Sequence, residues 1–291
     1  MTYKVALKDY LVIIFLACLW GSSFFLVKKG LEVFDPYQVG SLRIFISFLA
    51  LLPAWLFIKP KQIARKKMLP LVIIALLGSA IPPFLFAIAQ TKIPSSLAGI
   101  LNSLTPLFTL IFGVLFFKTK TNIKSFAGVM LGFLGAASLI LLTADGSFRS
   151  GFGYALLVVL ATFCYGIAAN MLKAFLSDVH PLAITAIGAT AIGPFAGVLA
   201  YHFGVFDTIA THPRAWEALG YLAFLGAIST AFALVIFNHL IQRVSALFAS
   251  TVTYLIPIVA IFWGFTLGEP FGWVHIGGMG AILAGIYLTT K

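Results

Sequence analysis

Apolar residues run along this chain in stretches of about 20 positions, each closed by a short polar interruption. That length lets a helix cross the ~30 Å hydrocarbon core of a bilayer. Ten spans are predicted: Tyr10–Val27, Tyr37–Ile58, Leu69–Gln90, Pro94–Phe117, Ile123–Leu142, Phe152–Lys173, Pro181–Phe203, Trp216–His239, Ala246–Leu267 and Gly272–Thr289. Helix is the expected form, because lipid offers backbone N–H and C=O groups no partner outside the segment. The runs are continuous and lack the period of two that marks a membrane barrel. The longest polar gap, near Gly204–Ala215, holds Asp207, Thr208, Thr211, His212, Pro213 and Arg214, with no sign of a linker or soluble domain. The segment Met1–Asp9 is too short and polar for a cleavable signal, so the first span is expected to remain as a helix.

The pattern recurs. Trp20-Gly21 is followed by Lys28, Leu31 and Pro36, and Tyr165-Gly166 by Lys173, Leu176 and Pro181, at a constant offset of 145. Further on, Lys92, Ala98, Leu104, Pro106 and Gly113 match Arg243, Ala249, Leu255, Pro257 and Gly264 at an offset of 151. Residues 1–145 and 146–291 then form two repeats of five helices each. Five is odd, so the second repeat enters the membrane upside down. The expectation is an all-α membrane protein of ten transmembrane helices in two inverted-topology repeats, with a substrate site near midplane. The last helix of each repeat carries small residues four apart: Gly128, Gly132 and Ala136, then Gly277, Ala281 and Gly285. Such stripes allow close helix approach. They serve either packing within a monomer or a homodimer interface through Gly128/Gly132 or Gly277/Ala281.

Composition agrees. Apolar residues make up 61% and charged residues 9%, whereas soluble domains carry about 25% charged residues. A soluble enzyme, a secreted disulfide scaffold and a disordered chain are excluded. The formal charge of +11 raises the question of nucleic acid, but its placement points to the lipid bilayer instead. With the N-terminus cytoplasmic, thirteen basic residues fall on the cytoplasmic side and five on the outer side. That bias places both termini in the cytoplasm of a multi-pass protein of the cell inner membrane. The cluster Arg65-Lys66-Lys67 weighs most in this orientation, and it would also suit an anionic headgroup. Cys18 and Cys164 lie inside apolar runs and read as small core residues.

Several short motifs now carry a resemblance. They are Trp20-Gly21-Ser22-Ser23, Leu42-Arg43-Ile44-Phe45, Ser95-Ser96-Leu97-Ala98 with Pro106, Ser245-Ala246-Leu247-Phe248-Ala249 with Pro257, and Leu267-Gly268-Glu269. In this order and spacing the chain resembles the drug/metabolite transporter superfamily, in its EamA-like ten-helix branch, over nearly its whole length. The resemblance implies movement of small metabolites, often export of amino acids or related amphiphiles. One departure is visible: Lys118 stands where the second repeat has Glu269, and the family often has an acidic residue in both.

Polar residues inside a span are costly unless they face the bundle interior or water. In the fourth span Ser95, Asn102, Thr105 and Thr109 share one helical sector. Pro106 removes an N–H and frees a carbonyl near Asn102. In the third, Ser79, Phe86 and Gln90 share a face beside Pro82-Pro83, which should kink the helix. Trp20, Ser23 and Phe24 in the first span, and Tyr165 and Asn170 in the sixth, suit a cavity wall or plain packing. The eighth span offers Thr230, Asn238, His239 and Gln242. His239 either relays protons or caps the helix at the interface. Tyr254, with Ser250 and Thr253, precedes Pro257 in the ninth. Arg43 is the single formal charge well inside a span, and either holds a substrate carboxylate or binds carbonyls and fixes its helix.

There is no GxxxxGK[ST] loop, no HExxH, no metal-spaced Cys/His cluster and no nucleophile–base constellation. No cofactor and no enzymatic chemistry are expected. No span holds Asp or Glu near its middle, the usual proton carrier. The sequence therefore predicts a secondary transporter of a small-molecule solute, working by alternating access. A lipid flippase or a passive channel is the alternative.

Overall fold

The computed structural model describes residues 5–58, 64–143, 148–268 and isolated positions between 273 and 288. Among these, eight helical segments are long and apolar enough to cross a membrane. The first two spans are α1 (Leu7–Leu31) and α2 (Pro36–Leu51), the latter prolonged by a 3-10 turn at Leu52–Leu56. Asp35 starts α2 by accepting hydrogen bonds from the Tyr37 and Gln38 amides, with Pro36 at the first helical position. The third span, Arg65–Gln90, is built from α3 (Met68–Ala75) and α4 (Ile81–Gln90); the fourth from α5 (Ser95–Asn102) and α6 (Thr105–Phe117). Next come α7 (Ile123–Thr143), α8 (Phe148–Phe175), α9 (Pro181–His202) and the short α10 (Val205–Thr211). The eighth span joins α11 (Ala215–Gly226) to α12 (Ala233–Arg243), and the ninth joins α13 (Ala246–Ser250) to α14 (Val252–Thr266). The predicted tenth span lies largely outside the described residues, as does Glu269.

Two details depart from the sequence reading. The polar gap at Gly204–Ala215 holds the helix α10, and its Thr208 hydroxyl accepts a hydrogen bond from Gln38 Nε2 at 2.9 Å. Of the two cysteines expected in the core, Cys164 is buried but Cys18 is exposed on the outside of α1. The lipid-facing surface is apolar as a membrane requires, with Phe15, Phe116, Phe195 and Phe262 exposed.

Four spans are interrupted. The third and eighth each contain a π-helical segment, at Leu76–Ala80 and Ala227–Phe232. In the third, Pro82 and Pro83 supply no N–H to the carbonyls of Gly78 and Ser79, so an α ladder cannot continue there. The eighth has no proline nearby, yet its π segment starts 151 residues after the first. The fourth span breaks at Ser103–Leu104 and the ninth at Thr251. Both breaks precede a proline, and both freed carbonyls find a hydroxyl. Thr105 Oγ1 donates to the Asn102 carbonyl at 2.8 Å, opposite Pro106. Ser103 Oγ donates to the Thr253 carbonyl at 3.1 Å, opposite Pro257. A buried carbonyl without a partner would cost roughly 1–3 kcal/mol.

Glycines set the closest crossings. A Cβ on Gly21 would lie 2.5 Å from Val259 Cβ, so α1 packs directly on α14. A Cβ on Gly166 would lie 2.9 Å from the Phe108 carbonyl carbon and the Thr109 nitrogen, so α8 packs directly on α6. Gly285 sits against the other small stripe: its Cβ would come within 2.6 Å of the Gly128 carbonyl oxygen and 2.7 Å of the Gly132 nitrogen.

Charges gather at the two ends of the bundle. At one end buried Asp9 accepts from Arg243 Nη2 at 3.1 Å, Lys67 pairs with Asp178, and Lys173 Nζ donates to the Gln242 carbonyl at 2.6 Å. Lys67 beside it holds the Asp178 carboxyl below its usual range. At the other end Lys28 Nζ donates to the Gln90 carbonyl at 2.9 Å. There Glu32 pairs with Lys29 at 2.6 Å and with Arg214 at 3.2 Å. The hydrogen bond from Lys29 draws the Glu32 carboxyl below its usual range. Arg214 also forks onto Glu217 at 2.9 and 3.2 Å, which raises the Arg214 guanidinium.

Candidate functional site

A cavity of about 140 Å³ opens between the interrupted helices. Its wall comes from α1, α2, the third and fourth spans, α8, α9, and the eighth and ninth spans. The volume suits a small solute, and the wall is apolar with a few polar groups, as in small-molecule sites generally.

The eighth-span π segment organises one side. Its altered backbone geometry leaves the Ser229 carbonyl facing α1, where Trp20 Nε1 donates to it at 2.8 Å. The Thr230 hydroxyl donates to the Leu225 carbonyl at 2.8 Å and accepts from Arg43 Nε at 2.9 Å. One π turn thus fixes an indole and a guanidinium from two other helices. Arg43 is 9% exposed and, among the described residues, is the sole charged side chain on the cavity wall. Its Nη nitrogens have no hydrogen-bond partner among the described residues.

The rest of the wall is aromatic and amide. Phe86 stacks on Tyr165 at 6.2 Å between ring centroids and meets Phe24 edge-on at 5.5 Å. Trp20 meets Phe237 edge-on at 4.9 Å. Gln90 is fully buried on the wall, and among the described residues neither its Oε1 nor its Nε2 has a partner. Ser229 Oγ is likewise buried without one. Asn238 Nδ2 donates to Thr185 Oγ1 at 3.0 Å.

Of the residues singled out in the sequence, the cavity brings together Trp20, Ser23, Arg43, Gln90, Asn102, Thr105, Tyr165 and Asn238. Ser95, Thr109 and Gln242 are not on its wall, and three others lie elsewhere too. Asn170 bridges helices, its Nδ2 donating to the Thr109 carbonyl at 2.8 Å and the Gly166 carbonyl at 2.9 Å. Tyr254 is fully buried against Gly132, its hydroxyl 3.5 Å from the Val129 carbonyl. His239 is exposed, because it sits ~100° around α12 from the inward-facing Asn238. Conversely, sequence reasoning passed over Ser47, Thr185 and Ser229, all on the wall. A lone hydroxyl in an apolar helix gives little signal, since Ser and Thr so often bond their own helix. Among the described residues, no group of three or more His, Cys, Asp and Glu could hold a metal ion.

Comparison with known proteins accords with this architecture. The model of the EamA-like transporter family matches residues 7–141 and again residues 152–291. An uncharacterized transporter of Archaeoglobus fulgidus is 25% identical, covering 98% of this chain and 99% of its own. The uncharacterized inner membrane transporter YedA of Escherichia coli is 26% identical, covering 100% of this chain and 93% of its own. A probable amino-acid metabolite efflux pump of Salmonella typhimurium is 24% identical, covering 97% and 94%. A solved crystal structure at 16% identity shares the fold with a TM-score of 0.71, over 97% of this chain and 98% of that one. The chain therefore belongs to the EamA-like transporter family and is a membrane transporter rather than an enzyme.

Proposed function

We propose that this chain is a secondary transporter of small amphiphilic metabolites, amino acids or related compounds, working by alternating access. The observation that carries the reading is the cavity bounded by four interrupted helices. Transporter sites are typically built where membrane helices are discontinuous. The helices move as two inverted repeats of five, residues 1–145 and 146–291. Three features support that division. The family model falls once on each half. The π segments begin 151 residues apart. The crossings of Gly21 on Val259 and Gly166 on Phe108 join positions related by the same two offsets, 145 and 151. Each repeat thus lays its first helix on the fourth helix of the other, and rocking one against the other would expose the cavity to alternate sides.

Both termini lie in the cytoplasm and the chain in the inner membrane; the excess of basic residues on one side supports the orientation, and the inner membrane transporter of Escherichia coli supports the location. The direction is export, a reading supported by the Salmonella typhimurium relative, which is named a probable efflux pump. Solute binding rests on Trp20, Ser23, Gln90, Asn102, Thr105, Tyr165 and Asn238.

The test is uptake into proteoliposomes of amino acids and small amines, with and without a pH gradient. Saturable flux that falls at least about tenfold in Asn102→Ala, with an unchanged unfolding midpoint, supports the reading. Movement of a fluorescent lipid without saturable solute flux would replace it with a flippase.

A further inference from the structure

Arg43 presents a problem of charge. A guanidinium inside the bilayer needs a counter-charge or strong acceptors, and it stays protonated whatever its surroundings. Among the described residues, no Asp or Glu lines the cavity. Four carboxylates at the bundle ends already have cations: Asp9 with Arg243, Glu32 with Lys29 and Arg214, Asp178 with Lys67, Glu217 with Arg214. Thr230 satisfies only the Nε–H. That single bond orients the planar group and leaves its Nη edge, four N–H donors, without a partner among the described residues. A purely structural arginine would spend those donors on backbone carbonyls. Here the freed carbonyls nearby go elsewhere: Ser229 to Trp20, Leu225 to Thr230.

The second observation is independent. Gln90, on a different helix, is buried on the same wall with both amide atoms unpaired among the described residues. A buried amide of this kind is a donor and an acceptor awaiting a ligand. Ser229 Oγ is a third such group.

We infer that the transported solute carries one carboxylate, seated on the Nη edge of Arg43, and that Arg43 is the residue that selects for it. This rests on the transporter reading above and deepens it. The carboxylate supplies the missing counter-charge, and guanidinium and carboxylate match as a two-point fork. The rings of Trp20, Phe86 and Tyr165 receive the apolar body. Gln90 and Ser229 offer donors and acceptors for a second polar group such as an amine. The charge count also sets a limit. One cation takes one carboxylate; a dicarboxylate would bury its second charge without a partner, and an organic cation would meet repulsion.

The test is uptake by proteoliposomes of matched pairs: L-leucine with L-leucinamide, and phenylacetate with phenylacetamide, alongside L-glutamate and phenethylamine. The parent protein is expected to take the acid of a pair with a KM about 10- to 100-fold below that of the amide, the range for a charge-assisted pair. Glutamate and phenethylamine should compete poorly. Arg43→Gln should erase the difference between acid and amide while amide uptake persists. Thr230→Val keeps the charge, so it should lower the unfolding midpoint yet keep the acid preference. Equal uptake of acid and amide by the parent overturns the assignment without any variant and leaves the transporter reading standing. Arg43→Gln slowing both members of a pair by one common factor, together with a lower unfolding midpoint, overturns it in favour of a structural arginine. Saturable uptake of none of the six solutes counts against both readings.

Discussion

Adding one methyl group at Gly166 should loosen the bundle measurably. The new Cβ would lie 2.9 Å from the Phe108 carbonyl carbon, the Phe108 Cβ and the Thr109 nitrogen. Ordinary van der Waals contact begins near 3.4 Å, so the shortfall is about 0.5 Å. Two of the three atoms are backbone, so no rotamer change can relieve the clash, and α8 must move off α6. The movement also stretches the Asn170–Thr109 bond, now 2.8 Å, which ties the same two helices. Overpacking of this size costs roughly 1–3 kcal/mol, and weakening a buried hydrogen bond adds up to ~1 kcal/mol. At about 2–4 °C per kcal/mol for a chain of this order, a total of about 1–4 kcal/mol means that Gly166→Ala should lower the unfolding midpoint in detergent by about 2–16 °C. Gly153→Ala is the control: its Cβ meets nothing within 4 Å, and it should leave the midpoint unchanged or slightly higher. A Gly166→Ala protein as stable as Gly153→Ala would refute the close crossing of α8 on α6.

Three further outcomes follow from the geometry. Ser103→Ala strips the Thr253 carbonyl of its partner and should cost about 1–3 kcal/mol; Pro257→Ala restores an N–H to that carbonyl, so in thermal unfolding the double variant should lose less than the two single losses together. Lys118 ends α6 in the left-handed region at φ 51°, where side chains are strained; Lys118→Gly should therefore hold or raise stability, by up to about 1 kcal/mol, read as an unchanged or higher unfolding midpoint. Glu32 titrates below its ordinary value of 4.5 in the folded protein because of Lys29. Its stabilisation is complete above that pH and fades as pH falls through the lowered folded value. The difference in midpoint between parent and Glu32→Gln should then be constant from pH 6 to pH 8 and shrink below about pH 4.5.

Eight of the ten predicted spans recur among the described residues, because crossing a bilayer demands one length and one composition, and nothing in a loop imitates that. Two helix breaks were legible from chemistry: Pro106 marked the freed Asn102 carbonyl, and Pro82-Pro83 marked the interruption of the third span. No proline or glycine within Ala227–Phe232 marks where the eighth span is interrupted, so the place of that break could not be read from the chain. Its cause is tertiary: Ser229 and Thr230 bond Trp20 and Arg43 from other helices. The same distinction divides the site residues. Asn102, Gln90 and Trp20 face the cavity, whereas Asn170 and Tyr254 have the same polar signature and use it to bridge helices. Sequence shows that an intramembrane amide needs a partner. It does not show whether that partner is a neighbouring helix or a solute.

The two π segments also bear on how this chain can tolerate changes of length. A π turn closes its ring over one residue more than an α turn. Deleting one residue from Ala227–Phe232 would let the ladder close as ordinary α-helix; the same deletion in Leu76–Ala80 keeps both flanks in phase, although Pro82 and Pro83 still leave two carbonyls open. Deleting one residue anywhere else in a span turns everything beyond it by ~100° and scrambles the buried face. These two places are where a single-codon deletion should leave a folded protein, one in which Trp20 and Arg43 have lost their anchor in the case of the second. A scan of single deletions, read once for membrane expression and once for flux, would show two narrow windows where the first survives and the second does not.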